Sequence, residues 1–367
     1  MRILLGGIPL GCDNIGDEAI LACVVKMLRT ARPDVELTVA TADPLTADRL
    51  GVRVTKPYGF AGCPVDGFAA VAGEHDAYVW CGATGLSDYP DVALDLLEVA
   101  QGAGVPTYVW GVGMDDELNP VFFRAAGKRR KLLSALGLVG AYERMLRWRL
   151  SRRFRRVLPR CRGVWLRDPQ SAEMLASMGF SGARVAADTA ILLAAPSDEP
   201  KPAPRALGLC VSTQRQVADL DGVRALVATV RVAGYDVVGI PMNPKTDRAL
   251  LTTLGVTSIP GDTPEAVSAA AARCRVVLSS RLHLLILAAN VGTRGLGIAR
   301  GSKLANWLSN FGQTVEGSVA DCDWKRTTDH VLACLAEEGD WAAVRARAYA
   351  ALHARLERAR GELLAAL

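Results

Sequence analysis

The sequence predicts an α/β protein in two halves, followed by a long terminal helix. Three observations carry this expectation. Short apolar runs of strand character alternate with amphipathic helix-period segments, and the alternation occurs twice. Between the two rounds, residues 194–205 hold prolines at 196, 200, 202 and 204 and cannot keep regular structure. The composition is half hydrophobic with 6% aromatics and 35 glycines, which suits helices packed on parallel sheets. At 367 residues the chain is also long for a single core.

The first half opens on a strand at 2–6 and a helix at 17–31, whose apolar positions Ile20, Leu21, Val24, Val25 and Leu28 share a face. A second strand follows at 36–41. Short buried strands at 78–80 and 107–111 bracket a helix at 94–102. A strand at 163–166 then leads into a helix at 169–178, begun at the Asp168-Pro169 step because proline suits the first turn. The second half repeats the cycle: strand 206–211, helix 220–233, strand 236–240, helices 247–254 and 263–272, strand 276–278. Residues 340–367 form an Ala/Arg-rich helix. The expected domains are 1–193 and 206–335, joined by a linker at 194–205 and followed by a terminal helical region at 336–367. Two Rossmann-like halves imply a cleft between them, the usual place for a ligand.

Several classes of function are excluded or disfavoured. No run approaches the apolar length of a membrane span. Met1-Arg2-Ile3-Leu4-Leu5-Gly6-Gly7 reads as a first strand rather than a signal peptide, its apolar run being too short. The nine cysteines contain no Cys-x-x-Cys pair, which argues against a disulfide framework or structural zinc and for a reduced, cytoplasmic protein. No metal-ligand cluster is visible.

The net charge of +5 has a local origin. From Arg124 to Arg162 the chain carries Lys128-Arg129-Arg130-Lys131 and then Arg144, Arg147, Arg149, Arg152, Arg153, Arg155, Arg156 and Arg160, opposed by Glu143 alone. Leu132, Leu133, Leu136, Leu138, Met145, Leu146, Trp148, Leu150 and Phe154 lie between them. The reading is a basic amphipathic insertion at 124–162, suited either to a solvated helical face or to an anionic membrane surface. A peripheral position at the inner face of a membrane follows from the second alternative. With few aromatics and no binding motif, nucleic acid is not expected as a partner.

Two constellations carry chemistry. The first is the loop Gly6-Gly7-Ile8-Pro9-Leu10-Gly11-Cys12-Asp13-Asn14-Ile15-Gly16-Asp17-Glu18, which matches neither dinucleotide nor P-loop patterns. Asp13, Asp17 and Glu18 beside a helix start would repel a phosphate, whereas carboxylates and Asn14 suit a hydroxyl-rich ligand such as a sugar. The same residues also suit helix capping, with Asp13 or Asn14 as the cap. The second is Ser279-Ser280-Arg281-Leu282-His283, where an apolar strand gives way to an apolar helix. Arg281 can fork onto a carboxylate or phosphate and His283 can move a proton near neutral pH. The alternative is a salt-bridged Arg281 and a satisfied core His283.

Asn14-Ile15-Gly16-Asp17-Glu18-Ala19-Ile20-Leu21 and Ser280-Arg281-Leu282-His283 together resemble the polysaccharide pyruvyl transferase family. Smaller echoes are Val164-Trp165-Leu166-Arg167-Asp168-Pro169-Gln170-Ser171, Ala187-Asp188-Thr189-Ala190, Ile240-Pro241-Met242 and Gly297-Ile298 leading to Lys303. The resemblance spans most of the chain in the right order. It implies a two-domain fold like that of GT-B glycosyltransferases. It also implies transfer of a pyruvyl group from phosphoenolpyruvate, as a ketal, onto a sugar of a cell-surface polysaccharide or its precursor, with release of phosphate. The chain departs from the family pattern at Cys81-Gly82-Ala83-Thr84-Gly85-Leu86-Ser87-Asp88, where members carry a Gly-Gly-Gly run and an Asp. It departs again at Arg300-Gly301-Ser302-Lys303, in place of Tyr-Asp-Pro-Lys.

On that resemblance, Arg281, Lys303 and Arg167 are the cations expected to meet phosphoenolpyruvate. His283 is the general acid that protonates its methylene carbon. Asp13 or Asp17 would deprotonate the acceptor hydroxyl, and Asp13, Asn14, Asp17, Glu18 and Asp88 would line an acceptor that is a sugar or lipid-linked saccharide. No cofactor beyond the donor is implied. The rival enzyme reading is a nucleotide-sugar glycosyltransferase on the same fold, and a non-enzymatic carbohydrate-binding subunit is the third.

Overall fold

The computed structural model describes residues 1–10, 13–41, 43–60, 62–116, 127–193, 206–212, 217–337 and 339–367. It contains two all-parallel sheets. The first runs in the order β3-β2-β1-β4-β5-β6-β7: β1 Arg2–Leu10, β2 Glu36–Thr41, β3 Arg53–Thr55, β4 Ala77–Cys81, β5 Thr107–Val112, β6 Gly163–Leu166 and β7 Arg184–Val185. The second runs β12-β11-β10-β8-β9: β8 Ala206–Cys210, β9 Asp236–Gly239, β10 Cys274–Ser279, β11 Arg294–Ala299 and β12 Gly317–Ser318.

The central strands are continuous apolar runs because both faces of a parallel sheet are covered by helices. Every residue of β4, β5 and β8 is buried. In the first sheet Leu4 pairs in register with Thr38 on one side and Tyr78 on the other, and Trp110 aligns with Trp165. The core on one face holds Leu4, Tyr78, Trp80 and Val109 with Leu94, Leu97 and Phe154. The second core gathers Leu207, Leu209, Val276, Leu278 and Ile298 against Val223, Leu226, Val227 and Val331.

The sequence-read elements recur with small shifts in both directions, because apolar periodicity marks an element's middle better than its ends. Helix Ile15–Ala31 begins two residues earlier than the expected 17–31, and helix Pro90–Gly102 begins four residues before 94. Asp168 caps Pro169–Ser177 by accepting the Ser171 N–H at 2.7 Å. Strands β3, β7, β11 and β12 have no counterpart in the sequence reading. The first two and the last are two or three residues long, and β11 carries glycines at 295 and 297 that weaken a strand signature. Those glycines are packing devices: a Cβ at Gly297 would sit 2.9 Å from Leu308 and one at Gly295 3.0 Å from Leu285.

The chain forms two compact units that are not contiguous in sequence. Unit 1 comprises Met1–Cys12, Val24–Thr189 and Arg355–Leu367, and unit 2 comprises Asp13–Cys23 and Ala190–Ala354. The expected halves, 1–193 and 206–335, are continuous, so the structure differs at two places. The start of helix Ile15–Ala31 groups with unit 2, where the Ile15 N–H donates to the Met242 carbonyl at 3.0 Å. The terminal helix Trp341–Ala366 divides: Tyr349 Oη bonds Asn290 Oδ1 at 2.6 Å in unit 2, whereas Glu362 accepts from Trp165 Nε1 at 2.9 Å in unit 1. The expected linker at 194–205 lies outside the described residues, as do Cys12 and Arg124. Among the described residues no helix is long and apolar enough to cross a membrane.

Candidate active site

In unit 2 the strand order reverses between β8 and β10, the point at which open parallel sheets leave a crevice beyond their carboxyl ends. Side chains organise this point. The Ser280 N–H donates to the Cys210 carbonyl at 3.0 Å, and Ser280 Oγ accepts the Ser212 N–H at 3.0 Å. Ser279 Oγ accepts the Arg281 N–H at 2.9 Å and donates to the Arg281 carbonyl at 3.0 Å. Arg281 thereby ends the strand in extended conformation and starts helix Leu282–Asn290, whose first turn receives no side-chain cap. Arg300, from the end of β11, donates to Ser212 Oγ at 3.0 Å.

Asp247 is the keystone, and nothing in the sequence marks it. It is fully buried in the first turn of helix Pro244–Thr253 and pairs with Arg281 Nη2 at 2.8 Å. It also accepts the N–H groups of Asn243 at 2.8 Å and Met242 at 3.1 Å, and the Thr246 hydroxyl at 3.3 Å. A carboxylate with this many donors can sit in a dry site. Read in sequence, an acid in a helix's first turn signals only dipole compensation. The salt-bridged alternative for Arg281 therefore holds for Nη2; its Nε is buried without a hydrogen-bond partner among the described residues. Next to Asp247, burial pushes the Cys210 thiol up to about 12, with the carboxylate adding to the effect, so that thiol is no nucleophile at neutral pH.

The start of helix Ile15–Ala31 belongs to the same unit. Asn14 is its cap: the Asn14 carbonyl accepts from Asp17 and Glu18, and its Oδ1 accepts the Gly16 N–H at 3.2 Å. Asn14 Nδ2 donates to Asp17 Oδ2 at 2.6 Å. Gly16 lies against the His283 ring so closely that a Cβ there would fall 2.1 Å from Nδ1. The glycine is a seat for the imidazole. Asp17 and Glu18 are both buried. Burial pushes the Asp17 carboxyl up to about 6 from its ordinary 3.8, and the Glu18 charge adds to this. His283, the Asn14 hydrogen bond and Lys303 pull the other way without cancelling it. A carboxyl poised near 6 beside a half-buried imidazole is an arrangement that can hold or move a proton.

Asp13, Asn14, Asp17 and Glu18 thus share a unit with Arg281, His283 and Lys303, whereas the sequence reading set them on opposite sides of a cleft. The reason is the missing side chain at Gly16 and the Ile15–Met242 backbone bond, both invisible to local pattern. Asp13 itself is exposed, left-handed (φ 56°), and paired with Lys245 at 2.7 Å.

Arg167 and Asp88 fall in unit 1. Arg167 is buried between Asp168 (3.3 Å) and Asp188 (3.7 Å), and its Nη2 has no hydrogen-bond partner among the described residues. Gly113 admits it, since a Cβ there would lie 2.3 Å from the guanidinium. Asp88 accepts a short hydrogen bond from Thr84 Oγ1.

A family model described as polysaccharide pyruvyl transferase matches residues 14–302, most of the chain, and takes in every residue named in this section except Asp13 and Lys303. The chain belongs to the polysaccharide pyruvyl transferase family. Membership makes it a transferase of the kind that pyruvylates polysaccharides. No curated protein matches the chain. Among solved structures it is similar to Anabaena HepE in complex with UDP and glucose, at 14% identity and TM-score 0.59, covering 100% of this chain and 99% of that one. It is also similar to the kitacinnamycin glycosyltransferase (14%, TM-score 0.58, 100% and 97% covered) and to S. aureus MnaA bound to UDP (11%, TM-score 0.55, 95% and 90%). At such identities the likeness establishes the fold, that of GT-B glycosyltransferases and sugar-nucleotide epimerases.

Proposed function

We propose that this family member takes its pyruvyl group from phosphoenolpyruvate and installs it as a ketal on two hydroxyls of a sugar in a cell-surface polysaccharide or its precursor, releasing phosphate. Beside family membership, the observation that carries the reading is the buried Asp17 carboxyl, near 6, set beside His283 and Lys303. As imidazolium, His283 gives its proton to the methylene carbon, which becomes a methyl group and leaves C2 cationic. One sugar hydroxyl adds to C2 and passes its proton to the Asp17 carboxylate. The bond from C2 to the phosphate oxygen then breaks as the second hydroxyl adds, and neutral His283 takes that hydroxyl's proton. The proton held by Asp17 leaves with the phosphate. Lys303 and Arg281 meet the donor's anionic groups, and Asp13, Asn14 and Glu18 hold acceptor hydroxyls. Asp17 is a better base than Asp13, because Asp13 is solvated and already engaged by Lys245.

The test is phosphate release from phosphoenolpyruvate with free, nucleotide-linked and lipid-linked sugars as acceptors, matched by ketal formation. His283→Ala is expected to abolish turnover with the melting temperature held within a few degrees. Gly16→Ala is expected to lower kcat by about 10- to 100-fold through displacement of the ring. Absence of phosphate release with every acceptor, together with nucleoside diphosphate release from a sugar nucleotide, would establish the glycosyltransferase alternative that the UDP-bound fold relatives favour.

A further inference from the structure

We propose that the helical arm formed by Gly127–Ala135 and Val139–Val157 seats the protein on an anionic lipid surface. The longer helix has two faces. Leu150, Phe154 and Val157, spaced at i, i+4 and i+7, are buried in the unit 1 core against helix Pro90–Gly102. On the same side Arg153 bonds Asp91 at 2.8 Å and Asp95 at 2.6 Å, and Arg156 bonds Glu98 at 2.7 Å. These two arginines of the basic run are therefore spent on holding the helix down.

The rest of the helix surface behaves differently. Arg144, Arg147, Trp148, Arg149, Arg152 and Arg155 are exposed. Trp148 is 53% exposed, and the Arg152 guanidinium lies 4.9 Å from its ring centroid. The shorter helix and the turn after it expose Leu132 by 63%, Leu136 by 59% and Leu138 by 46%, beside Arg130 and Lys131. Among the described residues, four of the eight large apolar side chains that stand exposed fall between Leu132 and Trp148. Apolar side chains ringed by cations that make no ion pair among the described residues match a surface that is anionic at its headgroups and apolar beneath them. Tryptophan and arginine are also the residue types that settle at that boundary. A duplex or a polyanion would answer the charge but leave the leucines wet. Such seating would bring a membrane-held acceptor to the enzyme, yet the inference stands without the pyruvyl reading, because vesicle binding is measured without turnover.

The experiment is co-flotation of the full chain with vesicles of neutral phosphatidylcholine, and with vesicles also containing phosphatidylglycerol. Binding is expected only with the anionic lipid and to fall as salt rises. Each of Arg144→Gln, Arg147→Gln and Arg152→Gln should weaken it about fivefold. The pair Leu136→Ser and Trp148→Ser should abolish it, with circular dichroism unchanged because both side chains are exposed. Arg224→Gln, an exposed charge removed elsewhere, should leave it intact. Equal binding to neutral vesicles, an equal loss with Arg224→Gln, or retention of an oligonucleotide but not of vesicles would each overturn the proposal.

Discussion

The two sheets reverse strand order in the same way but finish the reversal by different means. Beside the first reversal, at the end of β4, backbone bonds tie the chain to β5. Gly82 and Ala83 follow Cys81 in consecutive left-handed conformations (φ 77° and 55°), the Gly82 N–H donates to the Trp110 carbonyl at 2.8 Å, and the Ala83 carbonyl accepts the Gly113 N–H at 2.7 Å. Between β8 and β10 the work is done by side chains: Ser279, Ser280, Ser212, Arg300 and the Asp247–Arg281 pair. A turn held by backbone admits only small residues and brings little chemistry of its own. A turn held by ionised and hydroxyl side chains leaves charges and protons at the mouth of the sheet. The proposed acid–base pair lies in the unit built the second way.

The largest effect expected from breaking this contrast is at Asp247. Asp247→Ala strands a buried guanidinium and several backbone donors, and should cost about 3–5 kcal/mol in urea unfolding. Arg281→Met leaves the carboxylate its N–H and hydroxyl donors and should cost clearly less; equal costs would mean that Asp247 is not the keystone.

Next in size is Asp17. Its carboxyl, about 6 in the fold against 3.8 ordinarily, binds a proton more tightly when folded. Its contribution to stability is thus fully present below 3.8 and is lost as pH rises through about 6. Asp17→Asn should therefore unfold at higher denaturant than the parent at pH 7, by on the order of 2–3 kcal/mol, and should match it in acid. The same variant should lose turnover, so a stabilised but inactive protein is the expected signature. A variant no more stable at pH 7 than the parent would remove the strained carboxyl from the site.

The smallest effect belongs to the backbone-built end. Ala83→Gly relieves a left-handed alanine but loosens the unfolded chain, for a net gain of about 0.5 kcal/mol. A loss above about 1 kcal/mol would show that the Ala83 methyl packs and that this turn, too, relies on side chains.

Much of this architecture was legible as pattern. Apolar runs at 78–80, 107–111 and 276–278 can only be buried strands, and Asp168-Pro169 announces a helix start that the Asp168 cap confirms. Strands β7 and β12, two residues each, have no pattern to read. Gly16 carries no local signal of the His283 ring that lies against it. The basic segment reads as one amphipathic insertion, and the pattern does not tell apart Arg153 and Arg156, which bind acids of a neighbouring helix, from Arg144 and Arg152, which face solvent.

By itself the sequence determined the alternation of strand and helix, the two rounds of it, and the residues Asn14–Glu18 and Arg281–His283 as the places where polar groups interrupt apolar ones. These are local properties, set by side-chain period and by the cost of leaving apolar surface in water. Tertiary structure alone decided which cation is already answered, which carboxyl is dry, and that the Asn14 loop and His283 share one unit. Those outcomes depend on contacts between residues far apart in the chain, from 34 positions for Asp247 and Arg281 to more than two hundred for Gly16 and His283, and no period in the chain encodes them.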